Sequence, residues 1–298
     1  MKIHKTLIFA LSLSAVSDAR LSETFPVYHM VLSEFNINQE YINNWQFKQF
    51  AERNEGDARA TYRKAVSQAH LIVPTIKTKL IENGMSPMFL YQCLVESAFD
   101  PNAISKSKAI GLWQFKPKAA HDEKLVMNYQ VDERYDPIRS TEAAIGYLTR
   151  LNKKFHNKWY LAAMAYNWGP TNMEKALKRA GTTDLNVLMD ERKGFVRKET
   201  RDYINKILLF SMIGENYLYN HKDTYGRMMP DSSDDRLVKV EVKNGEQLSR
   251  IAKILGMDLY TLKRANLHFR QGVVHNRYAK VNIPVSKQRL FYDRYRVR

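Results

Sequence analysis

The stretch Leu94-Val95-Glu96-Ser97-Ala98-Phe99-Asp100-Pro101 sets one carboxylate at the end of an apolar helical run. A glutamate placed there faces the negative end of the helix dipole, which disfavours its ionised form. Apolar neighbours disfavour it further. Both effects raise the pKa toward the value a general acid needs near neutral pH. Composition alone also allows a surface glutamate with no role. Two later clusters carry the aromatic and amide groups that hold polar ligands: Gly111-Leu112-Trp113-Gln114-Phe115 and Ala165-Tyr166-Asn167-Trp168-Gly169. Asp100 offers a second carboxylate four residues after Glu96, but the Asp-Pro turn it opens is reason enough for it. The single cysteine, Cys93, sits among Phe89, Leu90 and Leu94. It permits no internal disulfide or cysteine metal site, and it reads as a buried, inert thiol. No metal or organic cofactor is indicated.

The elements that must position these groups read as helices. Residues 28–82 carry few breakers; Pro74 is expected to break or kink them, and Asn83-Gly84 to end them. Ser86-Pro87 then supplies a cap and a first helical residue for the run that carries Phe89, Leu90, Cys93, Leu94 and Glu96. Ser140-Thr141-Glu142 is expected to open a helix whose inward face is Ala143, Ala144, Tyr147, Leu148 and Leu151. Trp159 to Tyr166 forms an apolar run before Gly169-Pro170. Glu174 to Ala180 forms a short helix stopped by Gly181, and Thr200 to Tyr217 a long one. Residues 219–236 have the composition of a linker. A β-α-α-β pattern follows: Val238, Val240 and Val242 alternate; Leu248, Ile251, Ala252 and Leu255 repeat at helical spacing; Leu259 and Leu262 mark a second helix; Val281 and Ile283 close.

The chain of 298 residues carries 47 Lys+Arg against 31 Asp+Glu, a net charge of +16. That balance favours anionic partners, including weak association with an anionic envelope surface. The basic residues are spread along the chain and no nucleic-acid motif accompanies them, so nucleic acid is not expected. Lys2 and Lys5, the apolar run from Leu7 to Val16, and Ser17-Asp18-Ala19 read as an export signal over residues 1–19. No cysteine follows that run, so a lipoprotein anchor is not expected. The basic, aromatic tail 286–298 reads as a frayed end or a surface-binding segment.

Together, Glu96-Ser97, Gly111-Leu112-Trp113-Gln114 and Ala165-Tyr166-Asn167-Trp168-Gly169 resemble the successive motifs of family 1 lytic transglycosylases, the lysozyme-like SLT domain. Tyr135-Asp136-Pro137 and Tyr203 fit the same series. Residues 237–285 resemble a LysM module, which binds peptidoglycan or chitin. The order is that of the membrane-bound lytic murein transglycosylase D subgroup. The resemblance implies a mainly α fold: a helical region 20–85 packing on a catalytic domain 86–218, a linker, and a small βααβ module.

It also implies cleavage of the β-1,4 bond between N-acetylmuramic acid and N-acetylglucosamine in peptidoglycan, without water, in the periplasm or envelope. Glu96 is then first acid and afterwards base. Ser105, Gln114, Tyr166, Asn167 and Tyr203 are implied substrate-binding residues, with Tyr166 orienting the acid. Trp113 is read as core. Gly245, Glu246, Asn266 and Leu267 fall in the two loops of the module's glycan groove. Asn244-Gly245-Glu246-Gln247-Leu248 departs from the usual Gly-Asp-Thr/Ser-Leu start, which weakens the expected sugar affinity. Most glycosidases need two carboxylates. A goose-lysozyme-like hydrolase and a non-catalytic wall-binding protein remain the alternatives.

Overall fold

Several helices begin where a side chain or a proline supplies the first turn. In the computed structural model, which describes residues 21–220, 236–275 and 279–295, the order is α1 (Tyr28–Glu34), α2 (Trp45–Gln68), α3 (Ile72–Glu82), α4 (Leu90–Ser97), α5 (Pro117–Asp122), α6 (Pro137–Lys154), α7 (Trp159–Trp168), α8 (Pro170–Ala180), α9 (Leu185–Met189) and α10 (Lys198–Asn220). Then come β1 (Leu237–Glu241), α11 (Leu248–Leu255), α12 (Leu259–Ala265), β2 (Lys280–Pro284) and α13 (Gln288–Arg294). The fold is mainly helical, and β1 pairs antiparallel with β2 from Leu237↔Pro284 to Glu241↔Lys280. The expected βααβ order is therefore present. The export signal and nearly all of the linker lie outside the described residues.

Several boundaries differ from expectation for local reasons. Pro74 does not break a helix, because α3 starts only two residues before it and its missing N–H falls in the first turn. Ser86 caps a short 3-10 turn, accepting from the Met88 N–H at 3.1 Å, and α4 follows directly. α6 opens at Pro137 rather than at Ser140. Asp136 is its cap, accepting from the N–H groups of Ile138 at 2.9 Å and Arg139 at 3.3 Å. Ser140 and Thr141 are buried inside it and donate back to the carbonyls of Asp136 and Pro137. α8 likewise starts at Pro170, immediately after Gly169.

The described residues form two compact units, 21–60 with 151–220, and 61–150 with 236–275 and 279–295. In the first, α7 packs on α10, burying Leu161 to Ala165 with Ile204, Ile207 and Leu208. Phe35 closes this core, and its carbonyl accepts the Tyr160 N–H at 3.1 Å. Tyr41 donates to Asn205 Oδ1 at 3.1 Å, and burial pushes its phenol far above the ordinary range.

In the second unit α3 packs on α4 and on β1. Trp113 is fully buried and donates to Thr141 Oγ1 at 2.9 Å, in line with its reading as core. The βααβ segment has its own core of Val240, Ile251, Leu255, Leu262, Val281 and Ile283. The tail forms α13 over much of its length, and Phe291 and Tyr295 belong to that core. A frayed end is therefore not what these residues make. Among the described residues no helix is long and apolar enough to cross a membrane.

Candidate functional site

In the second unit, Glu96 is half-buried on the last turn of α4. Leu90 to Leu94 are buried and fix the helix in place. The chain leaves through two consecutive left-handed residues that are not glycine, Ala98 (φ 52°) and Phe99 (φ 60°). Each such residue costs about 1–2 kcal/mol. Burial of Phe99 and an Ala98 N–H bond to the Leu94 carbonyl at 2.8 Å hold the turn against that cost. The result is a sharp exit directly behind the carboxyl-bearing turn.

The second motif is a tight turn locked to this helix end. Ile110 and Phe115 exchange backbone bonds at 3.1 Å. Gly111 (φ 79°) is obligatory, since a Cβ there would overlap the Arg134 carbonyl oxygen. Ser97, next to Glu96, donates to the Leu112 carbonyl at 2.9 Å, and so ties α4 to the turn. The sequence reading gave Ser97 no role; its only signal was its place beside the acid. Gln114, itself left-handed (φ 50°), donates its amide nitrogen to the carbonyls of Gly111 at 2.9 Å and Ala103 at 3.2 Å. Ser105 is half-buried; its Oγ accepts the Ala109 N–H at 3.0 Å and meets Ser107 Oγ at 3.1 Å. Asp100 opens an Asx turn by accepting the Asn102 N–H at 3.0 Å, the structural role foreseen for it. Cys93 is buried, and burial pushes its thiol well above the ordinary value.

In the first unit, Tyr166 and Asn167 lie half-buried on the last turn of α7, before Gly169. Asn167 Oδ1 accepts from Thr200 Oγ1 at 2.8 Å and from Arg197 Nη2 at 3.3 Å. The Arg197 guanidinium stands 5.7 Å from the Trp168 ring centroid. Arg197 and Thr200 escaped sequence reasoning, because their link to Asn167 spans about thirty residues. Tyr203 lies one turn beyond Thr200 and is only 6% exposed.

Of the four residues expected in the module's groove, two have side chains engaged within the fold. Asn266 is 1% exposed: its nitrogen donates to the carbonyls of Leu262 and Asn282, and its oxygen accepts the Asn282 N–H at 2.8 Å. Glu246 is buried, pairs with Arg250, and accepts from the Tyr295 hydroxyl at 3.0 Å. Both side chains are spent on the fold itself. The glutamate that departs from the usual shorter acid is long enough to reach Tyr295 of the C-terminal segment. Gly245 is exposed with φ 80°, and Leu267 is half-buried. Among the described residues no group of three or more His, Cys, Asp or Glu side chains is placed to hold a metal ion.

Residues 74–189 match the family described as Transglycosylase SLT domain, and residues 236–296 that described as Lytic transglycosylase MltD, LysM-like domain. The membrane-bound lytic murein transglycosylase D of Escherichia coli K12 is 33% identical over 178 residues, 58% of this chain and 37% of that protein. Membrane-bound lytic murein transglycosylase E of Buchnera aphidicola is 32% identical over 122 residues, 36% of this chain and 55% of its own length. Membrane-bound lytic murein transglycosylase C of Haemophilus ducreyi is 26% identical over 162 residues, 47% and 44%. The matches thus span between 37% and 55% of these relatives' lengths. The chain is thus similar to the transglycosylase SLT domain over residues 74–189 and to the LysM-like domain of lytic transglycosylase MltD over residues 236–296.

Proposed function

We propose that the chain is a peptidoglycan lytic transglycosylase with Glu96 as its single acid and base. The observation that carries this reading is a half-buried carboxyl on the last turn of α4, tied through Ser97 to the turn that presents Gln114. The Glu96 carboxylic acid gives its proton to the glycosidic oxygen as the bond from that oxygen to C1 of the muramoyl sugar breaks. The carboxylate then takes the proton of the C6 hydroxyl of the same sugar, whose oxygen closes on C1. The acid is regenerated and no water is consumed, so a second carboxylate is not required.

Gln114 serves as an acceptor in this scheme. Its nitrogen is committed to two backbone carbonyls, which leaves its oxygen suited to an N–H or O–H of the sugar. Ser105, Tyr166, Asn167 and Tyr203 are further proposed substrate-binding residues. Residues 1–19 are proposed to export the chain to the envelope. The test is mass analysis of muropeptides released from purified peptidoglycan. Products lighter by one water than hydrolytic fragments, absent with Glu96→Gln, support the proposal. Reducing-end products would replace it with a hydrolase.

A further inference from the structure

The LysM-like module is joined to the Glu96 segment by polar contacts inside one compact unit. Lys239 of β1 pairs with the buried carboxylate of Asp136, and Asn282 of β2 donates to the same group at 3.0 Å. Burial alone would push this carboxyl up; Lys239, with His268 and Asn282, holds it well below its ordinary range. The loop after α12 is engaged as well. Phe269 bridges Val131, the Asp132 N–H donates to the His268 carbonyl at 3.0 Å, and the Arg270 N–H to that of Gln130 at 3.2 Å. Arg270 also reaches Asp132 at 3.3 Å. Val131 is buried within the module's own core. This loop directly follows Asn266 and Leu267, two of the residues expected to face glycan.

From Asp136 two short routes lead back to the acid. Asp136 caps α6, and Thr141, one turn on, receives the Trp113 N–H. Two residues before Asp136, the Arg134 carbonyl packs where Gly111 has no side chain. Both routes end in the 111–115 turn, whose Leu112 carbonyl holds Ser97 beside Glu96.

We infer that the LysM-like module is a brace for the catalytic segment rather than a tether for glycan: through Lys239 and Asn282 it fixes Asp136 and so positions the turn that presents Gln114 beside Glu96. Asp136, Lys239 and Asn282 are positioning residues. The inference rests on the proposed transglycosylase reading for its kinetic consequence, but its structural consequence is measurable without any activity. Coupling through packed networks of this kind is about tenfold in an equilibrium or a rate.

The experiment uses the full chain carrying Lys239→Met, the pair Asp136→Asn with Lys239→Met, and Lys280→Ala. Lys280→Ala is the control, since it removes an exposed ion pair on the same sheet. Amide hydrogen exchange is followed over residues 103–115, together with kcat, KM and pelleting on peptidoglycan. Lys239→Met is expected to speed exchange in the 111–115 turn and lower kcat, each about tenfold, with KM and pelleting unchanged. The double variant, free of the unpaired buried charge, is expected to recover part of both. Lys280→Ala is expected to change nothing. Unchanged exchange in Lys239→Met overturns the brace. Loss of pelleting with unchanged kcat overturns it in favour of a tether. If the unmodified chain releases no muropeptide, the transglycosylase reading fails while exchange still decides the brace.

Discussion

His268 makes the second unit acid-sensitive over a window set by its burial. Its Nε2 lies 3.7 Å from Asp136 Oδ2, and its Nδ1 is buried without a hydrogen-bond partner among the described residues. Burial lowers its pKa from 6.5 to about 4; Asp136 opposes that shift and Lys239 adds to it. A lowered histidine value means that the unfolded chain takes up the proton first as pH falls. Stability from this group is therefore complete above about pH 6.5 and is lost as pH drops toward 4. The full shift corresponds to about 3 kcal/mol, of which about 2 kcal/mol is lost between pH 7 and 4.5. For a domain of this size that is a fall in Tm of about 4–8 °C. Thermal unfolding followed by circular dichroism at both pH values, for the natural chain and His268→Gln, measures it. The variant is expected to lose about 2 kcal/mol less than the natural chain across the interval. Equal losses would refute the assignment, because other groups would then carry the acid sensitivity.

Gly111→Ala is expected to destabilise the fold by more than about 3 kcal/mol, since it adds a steric overlap with the Arg134 carbonyl to a left-handed φ; urea unfolding reads the midpoint. Ser97→Ala is expected to cost about 1 kcal/mol and to lower muropeptide release while leaving the fold intact by circular dichroism. Tyr295→Phe removes a hydroxyl that accepts from the Lys243 N–H and donates to Glu246. A loss of about 1–2 kcal/mol in urea would check the structural role of the C-terminal segment. Cys93 is expected to react with a thiol reagent only after unfolding, and fast labelling of the native chain would contradict its burial.

Much of this molecule is local and therefore legible in the sequence. Helix runs follow from apolar spacing, the βααβ order from alternation followed by helical periodicity, and the cap at Ser86 from the residue pair it forms with Pro87. The burial of Cys93 was also legible, because Phe89, Leu90 and Leu94 lie around it. The start of α6 was not. Ser140-Thr141-Glu142 has the form of a cap, but Asp136 takes that role, and the two hydroxyls turn inward to carbonyls one turn back.

Long-range pairing was beyond the sequence for a plain physical reason: nothing local records which distant group completes a hydrogen bond. Glu246 and Asn266 fell in loops that suggested a glycan groove, and tertiary contacts with Tyr295 and Asn282 used them up. Arg197 and Thr200 found Asn167 in the same way. The carboxyl, its helix and the Gly111–Phe115 motif were legible within residues 86–115. What only the tertiary structure decided is that Asp136 is buried against Lys239 and Asn282, more than a hundred residues away. A buried carboxylate must be paired, and the pairing makes the C-terminal module part of the same unit as Glu96.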